Sequence, residues 1–299
     1  MSLGVDLGGT KIEAALVRLG DEPEVLVRKR VPTQAEHGYT HIVQRIHTLI
    51  LDVAREGGVA LDELPIGVGM PGSFARTEAG LLVKNSNTTC LNGRPFQDDL
   101  NAALGRPLAY ANDANCFALA ESIWGAARGA EVVFGVILGT GVGGGVVFRG
   151  EIWPGAQGIA GEWGHMVLDP VHGRPCYCGK RGCVETYLAG PALEAAYAER
   201  RGARMALREI AADPRGREIL VERMDWFGRA LANVIDVLDP NVVVLGGGAS
   251  NLGVWYTEGV DAVRRWVFND ALHTRIVQHS LGDSAGVLGA ALLGRAAHK

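Results

Sequence analysis

The sequence predicts an α/β protein of two lobes that holds a phosphorylated ligand, and three observations predict it. Short apolar strands run into three glycine-rich loops: Asp6-Leu7-Gly8-Gly9-Thr10-Lys11, Gly139-Thr140-Gly141-Val142-Gly143-Gly144-Gly145 and Gly246-Gly247-Gly248-Ala249-Ser250. Glycine tolerates positive φ and lets a ligand approach the main chain, so successive N–H groups can converge on phosphate oxygens. The first two loops each join strand to strand, one in each half of the chain, which is a repeat of structure and implies a cleft between lobes. Helical and strand periodicities occur in the same chain, which sets the α/β class.

Strands are expected over 2–6, 12–18 and 24–31, an antiparallel meander separated by Gly8-Gly9 and Gly20-Asp21. Ile42, Ile46, Leu49, Ile50 and Val53 lie at helical spacing, and Gly57-Gly58 stops that helix. A strand over 65–69 follows. Another at 107–111 runs into a helix over 114–125, with Asn112-Asp113 at its start. The second half has a strand at 132–138, the second glycine loop, and a strand at 146–148. A Gly- and Cys-rich insert spans 155–190, and Ile219, Phe227, Leu231, Ile235 and Leu238 form the apolar stripe of a helix near 217–238. A strand at 241–245 ends in the third loop. The terminal helix, 284–297, has Gly286 and Gly289 for close packing. These elements divide into an N-terminal lobe, 1–115, to which the chain end 284–299 returns, and a C-terminal lobe, 116–283, which carries the insert.

The 299 residues, 47% hydrophobic and 21% charged, exclude a disordered chain. With 29 basic and 33 acidic residues, net charge −4 and no basic run, a nucleic-acid surface is excluded and a small-molecule substrate favoured. No apolar run reaches the roughly eighteen residues of a membrane span, and strand-like sequence begins at Leu3 without a leader. The expected location is cytoplasmic. Five cysteines, an odd number, argue against a disulfide framework.

Residues 139–144 and 67–72 both fit G-x-G-x-x-G, yet the dinucleotide fingerprint requires a helix directly after the turn. Val146-Val147-Phe148 reads as strand, and Pro71 interrupts the other match. No G-x-x-x-x-G-K-[ST] occurs. Phosphate held by hairpin turns remains. Cys176, Cys178 and Cys183 with His165 offer three thiolates and an imidazole, the donor set of a closed structural zinc site. On spacing alone, free cysteines and a core histidine stay open. Cys90 and Cys116 fall outside this pattern and are read as buried thiols.

Asp6 to Lys11, Asn112-Asp113-Ala114-Asn115, Gly139 to Gly145, Gly161-Glu162-Trp163-Gly164-His165 and Cys176-Tyr177-Cys178-Gly179-Lys180-Arg181-Gly182-Cys183 resemble, in order, the ROK family of sugar kinases and repressors. The resemblance spans the chain and implies the actin-like ATPase (ribonuclease H-like) fold, with two lobes closing on ATP. It implies Asp113 as catalytic base and Asn112 as a sugar contact, roles compatible with a helix cap. It places Asp6 toward the hydration shell of Mg2+, and Gly8, Gly9, Thr10 and Lys11 along the β- and γ-phosphates. Gly139, Thr140, Gly141, Gly143 and Gly144 would hold the other side of the phosphates, and Gly246, Gly247 and Gly248 would pass the adenosine. A solvated surface lysine is the other reading of Lys11. Glu162, His165 and Glu185 would bind sugar hydroxyls, with structural Zn2+ on His165, Cys176, Cys178 and Cys183 fixing their loop. Gly72 and Asn87 complete the implied sugar pocket, and a homodimer is the expected assembly.

The 84–96 loop and Pro175 to Lys180 most resemble the family's fructokinase branch, while 112–121 and 137–146 equally resemble its N-acetylglucosamine kinases. Fructose ranks first and the N-acetylhexosamine second. Cys90 stands where the glucokinase pattern has an aromatic. A non-catalytic sugar sensor is the reading of a different class. Asp113 and both phosphate loops oppose it, and the five residues before Asp6 hold no helix-turn-helix.

Overall fold

The computed structural model describes residues 1–78 and 80–298, so Lys299, at the end of the expected terminal segment, lies outside the described residues. In chain order the first elements are β1 (Ser2–Leu7), β2 (Lys11–Arg18), β3 (Glu24–Pro32), α1 (Tyr39–Glu56), β4 (Ile66–Met70), β5 (Ser73–Thr77), β6 (Gly80–Lys84), α2 (Phe96–Leu104), β7 (Ala109–Asn112) and α3 (Asp113–Ile123). They are followed by β8 (Val132–Leu138), β9 (Val142–Phe148), β10 (Glu151–Ile152), α4 (Glu185–Leu188), α5 (Gly190–Arg201), α6 (Leu207–Ala212), α7 (Pro214–Leu238), β11 (Val242–Gly246), α8 (Glu258–Trp266), β12 (Arg275–Gln278) and α9 (Ala285–Ala297). Two compact units result. The first holds 1–125, 151–160 and the chain from 281 onward; the second holds 126–150 and 161–280.

In the first unit the sheet order is β3-β2-β1-β4-β7. The β1–β2–β3 meander is antiparallel, whereas β1, β4 and β7 run parallel, with Asp6 opposite Gly69 and Met70 opposite Asn112. The carboxyl ends of those three strands therefore share one edge. One face is covered by α1, which buries the apolar stripe Ile42, Ile46, Leu49, Ile50 and Val53. α9 also packs on β1 and β4. A Cβ at Gly4 would stand 2.0 Å from Val287 O, and one at Gly67 2.0 Å from Ala290 O, so both strands need glycine for the helix to seat.

The second unit repeats the scheme. β8 and β9 form an antiparallel hairpin, and β8, β11 and β12 are parallel, with Gly246 opposite Ile137. The second and third glycine loops thus leave neighbouring strands at the same edge. α7 buries Ile219, Phe227, Leu231 and Ile235. Leu238, counted in the same stripe from sequence, is only half-buried.

A boundary after residue 115 would cut α3, which lies wholly in the first unit because it packs tightly on α9. The insert read as 155–190 is also divided: residues to 160 group with the first unit and those from 161 with the second. The β5–β6 hairpin, β10, α2, α4, α5, α6, α8 and β12 are not expected from the sequence pattern. No helix among the described residues is long and apolar enough to cross a membrane.

Candidate active site

At the shared edge of the first sheet, the chain leaves β1 through Gly8-Gly9-Thr10 and β7 through Asn112-Asp113. The Gly8 N–H donates to Lys11 O at 3.0 Å and the Thr33 hydroxyl to Gly8 O at 2.6 Å, closing the turn and leaving Gly9 and Thr10 exposed. Asn112 caps α3: its Oδ1 and Asp113 Oδ1 both accept from Ala114 N–H at 2.9 Å. The other end of the Asn112 amide donates to Gly72 O at 3.1 Å, which joins two of the expected sugar contacts. Gly72 has φ 85°, and a Cβ there would come 2.5 Å from Lys84 O, so the close turn requires glycine. In the same loop the Asn92 side chain brackets Ser86 with two 2.9 Å hydrogen bonds, and Asn87 is presented exposed between buried Ser86 and Thr88.

Negative charge accumulates here. Glu13, directly across from Asp6 in the β1–β2 register, is fully buried and accepts from Arg28 Nε at 2.6 Å and Arg30 Nε at 2.5 Å. Burial, then the charges of Asp113 and Glu13, push the Asp6 carboxyl up to about 7. A bound cation would relieve that cluster, and Mg2+ typically uses one or two carboxylates and keeps its waters. Cys116 is buried, and burial with Asp6 and Asp113 nearby raises its thiol well above the ordinary range. Cys90, also read as a buried thiol, is half-buried instead, at the edge of the core.

In the second unit the turn proper is Gly139-Thr140-Gly141: the Gly139 N–H donates to Gly141 O at 3.0 Å, and Thr140 is exposed. Gly143 and Gly144, expected on phosphate, lie at the start of β9, just past the turn. The small size of Gly144 serves packing, because a Cβ there would stand 2.6 Å from Gly161 O, and beside it Trp163 Nε1 donates to Gly143 O at 2.9 Å. This contact seats the Gly161–His165 segment on the strand. Glu185, at the start of α4, accepts from Val142 N–H at 3.0 Å and lies against Gly141. Burial and then the Glu185 charge raise the Glu162 carboxyl. In the third loop Gly247, at φ 83°, packs on Leu138 O, while Gly248 faces open space. A cavity of 490 Å³ opens beside this loop, lined by Arg208, Ala212, Leu220, Asn251 and Leu252 among others. Sequence gave no signal for it, because its α6 wall carries no motif.

His165, Cys176, Cys178 and Cys183 converge, with one ligand atom from each all lying within 4.8 Å of one another. Cys176 Sγ is 3.6 Å from His165 Nδ1, and Cys178 Sγ is 3.6 Å from Cys183 Sγ. A tetrahedron with sulfur about 2.3 Å from zinc has edges of about 3.8 Å, so the donor set fits zinc in both chemistry and spacing. Gly179, at φ 87°, makes the turn that returns Cys183 to the others. Burial, with Cys178 and Cys176 beside it, pushes the Cys183 thiol up to about 12, so holding all three cysteines as thiolates would need a compensating cation. The remaining His165 nitrogen, Nε2, meets Tyr177 Oη at 3.0 Å.

The ROK family model matches residues 2–297. The chain belongs to the ROK family. An N-acetyl-D-glucosamine kinase of Vibrio vulnificus is 36% identical to it, over 98% of this chain and 99% of that protein. One of Aliivibrio salmonicida is 38% identical with the same coverage. The ROK hexokinase from Thermus thermophilus superposes with a TM-score of 0.84 at 33% identity, covering 99% and 98% of the two chains. A ROK family glucokinase from Streptomyces griseus, in complex with glucose and AMPPNP, gives 0.82 at 27% identity, covering 99% of each. The fold is accordingly the family's two-lobe actin-like ATPase fold, and the protein is an ATP-dependent sugar kinase. The sequence ranking that put fructose first is not supported, since the Vibrio and Aliivibrio relatives are kinases of N-acetylglucosamine.

Proposed function

We propose that this protein transfers the γ-phosphoryl group of ATP to the 6-hydroxyl of N-acetylglucosamine. The observation that carries the substrate is identity of 36–38% over essentially the whole chain to kinases of that sugar. Asp113, placed at a helix start by the Asn112 cap, takes the proton of the attacking hydroxyl as Asn112 orients the sugar. Modest activation is enough, because phosphoryl transfer has a loose transition state and depends on positioning and charge stabilisation. Glu162, His165 and Glu185 bind ring hydroxyls, and Gly72 and Asn87 are the further sugar contacts. Gly9, Thr10 and Lys11 of one loop and Thr140 and Gly141 of the other take phosphate oxygens, while Gly246 to Gly248 and the adjacent cavity take adenosine. Mg2+, when bound, neutralises charge on the β- and γ-phosphates, and Asp6 holds its hydration shell. Zinc on His165, Cys176, Cys178 and Cys183 keeps the sugar-binding segment in shape.

The test is ADP release from ATP and magnesium with N-acetylglucosamine, and identification of the phosphorylated carbon. The expected product is the 6-phosphate. No sugar-dependent ADP release across a hexose panel would overturn the reading.

A further inference from the structure

We propose that Tyr177 belongs to the sugar site and that its hydroxyl occupies, in the sugar-free protein, the hydrogen-bond donor that His165 offers to the sugar. The inference rests on the reading that His165 contacts sugar. Cys176 and Cys178 turn their sulfurs into the metal-binding cluster, and the residue between them is sent outward: Tyr177 is 66% exposed. An aromatic so exposed contributes little to the core. It nevertheless has a defined place, its ring edge-to-face with His165 at 5.1 Å between centroids and 86° between planes. Its Oη lies 3.0 Å from His165 Nε2.

The direction of that hydrogen bond follows from the other ring nitrogen. Nδ1 faces Cys176 Sγ at 3.6 Å and is the atom available to metal; with a metal there, the ring proton would sit on Nε2, which would donate to Tyr177 Oη. A sugar hydroxyl that reaches Nε2–H must displace Oη, exchanging one acceptor for another. The tyrosine is thus a built-in competitor, and binding the sugar releases its ring to close over the ligand.

Tyr177→Phe keeps the ring and removes the acceptor. Calorimetry with the sugar that the wild-type enzyme phosphorylates is expected to show roughly 3- to 10-fold tighter binding, the worth of one ordinary hydrogen bond. The KM for ATP and the zinc content stay as in wild type. Tyr177→Ala, which also removes the ring, is expected to bind sugar more weakly than Tyr177→Phe. Sugar affinity unchanged or weakened in Tyr177→Phe would overturn the inference and leave the kinase reading intact. Absence of any sugar binding by the wild-type protein would overturn the kinase reading itself, and the inference with it.

Discussion

Asp113 opens α3 directly after the end of β7, while the last strand residue, its neighbour Asn112, supplies the cap proper. Asp113→Asn therefore keeps the helix and the fold, and kcat is expected to fall by roughly 10²–10⁴, the usual worth of a general base. Wild-type turnover in the folded variant would remove Asp113 from the reaction. Asn112→Ala, in contrast, loses the cap and the tie to Gly72, for about 1 kcal/mol of stability besides its effect on sugar binding. Asp6 gives a pH dependence. Its carboxyl rises from 3.8 to about 7 on folding, so between those values the folded state binds more protons than the unfolded one. Stability is therefore greatest below pH 3.8 on this account and is lost as pH rises toward 7, whereas a magnesium–nucleotide complex favours the ionised form and binds better as pH rises. Urea midpoints of wild type and Asp6→Asn, compared at pH 5 and pH 8, are expected to show the variant gaining relative stability at pH 8. An equal difference at both pH values would exclude Asp6 as the group responsible.

Among the elements, those with a long period or a strong stop were legible in the sequence, and those without were not. α1 and α7 show apolar stripes of five or more residues, whereas α2 buries just Phe96 and Leu100, too few to reveal a period. α5 begins Gly190-Pro191, which reads as loop until proline's fitness for the first helical turn is weighed. β12 is an edge strand with no fully buried residue. Gly144 shows why a glycine run alone does not settle a role: a glycine needed so that another backbone can pack leaves the same trace as one needed by a phosphate. The cysteine knuckle was legible because its donors are chemically distinctive, and it permits an element-level prediction. Cys178→Ser should lower zinc below the expected one per chain and raise the sugar KM more than the ATP KM, because the segment from His165 to Glu185 carries groups proposed to bind sugar. Full activity with no bound zinc would remove the metal from the structural role given to it here.

At the scale of the whole molecule, the parallel strand pairs convert distant motifs into neighbours. β1, β4 and β7 bring Asp6, Gly72 and Asp113 to one edge of the first sheet, and β8 and β11 do the same for the second and third loops, the strand ends where α/β sheets hold ligands. That much follows from strand order, and the repeated loops announced it. Sugar identity does not, because it depends on which hydroxyl or acetamido group each polar side chain meets, and Asn87, Glu162 and Glu185 are suited to any of them. Loop resemblance pointed to fructose and whole-chain identity points to N-acetylglucosamine; the latter samples every residue that shapes the pocket. A site built to hydrogen-bond an acetamido group leaves buried polar groups unpaired when a ketose occupies it, a mismatch that costs far more than a missing methylene. N-acetylglucosamine is therefore expected to show a kcat/KM at least about tenfold above fructose, roughly 1.4 kcal/mol in transition-state binding, with ATP and magnesium fixed at saturation. The difference should appear in kcat as well as KM, because a sugar held out of register misplaces its 6-hydroxyl relative to Asp113. Fructose turned over as well as or better than the N-acetylated sugar would restore the loop-based ranking and leave the roles of Asp113, Asp6 and the cysteine knuckle untouched.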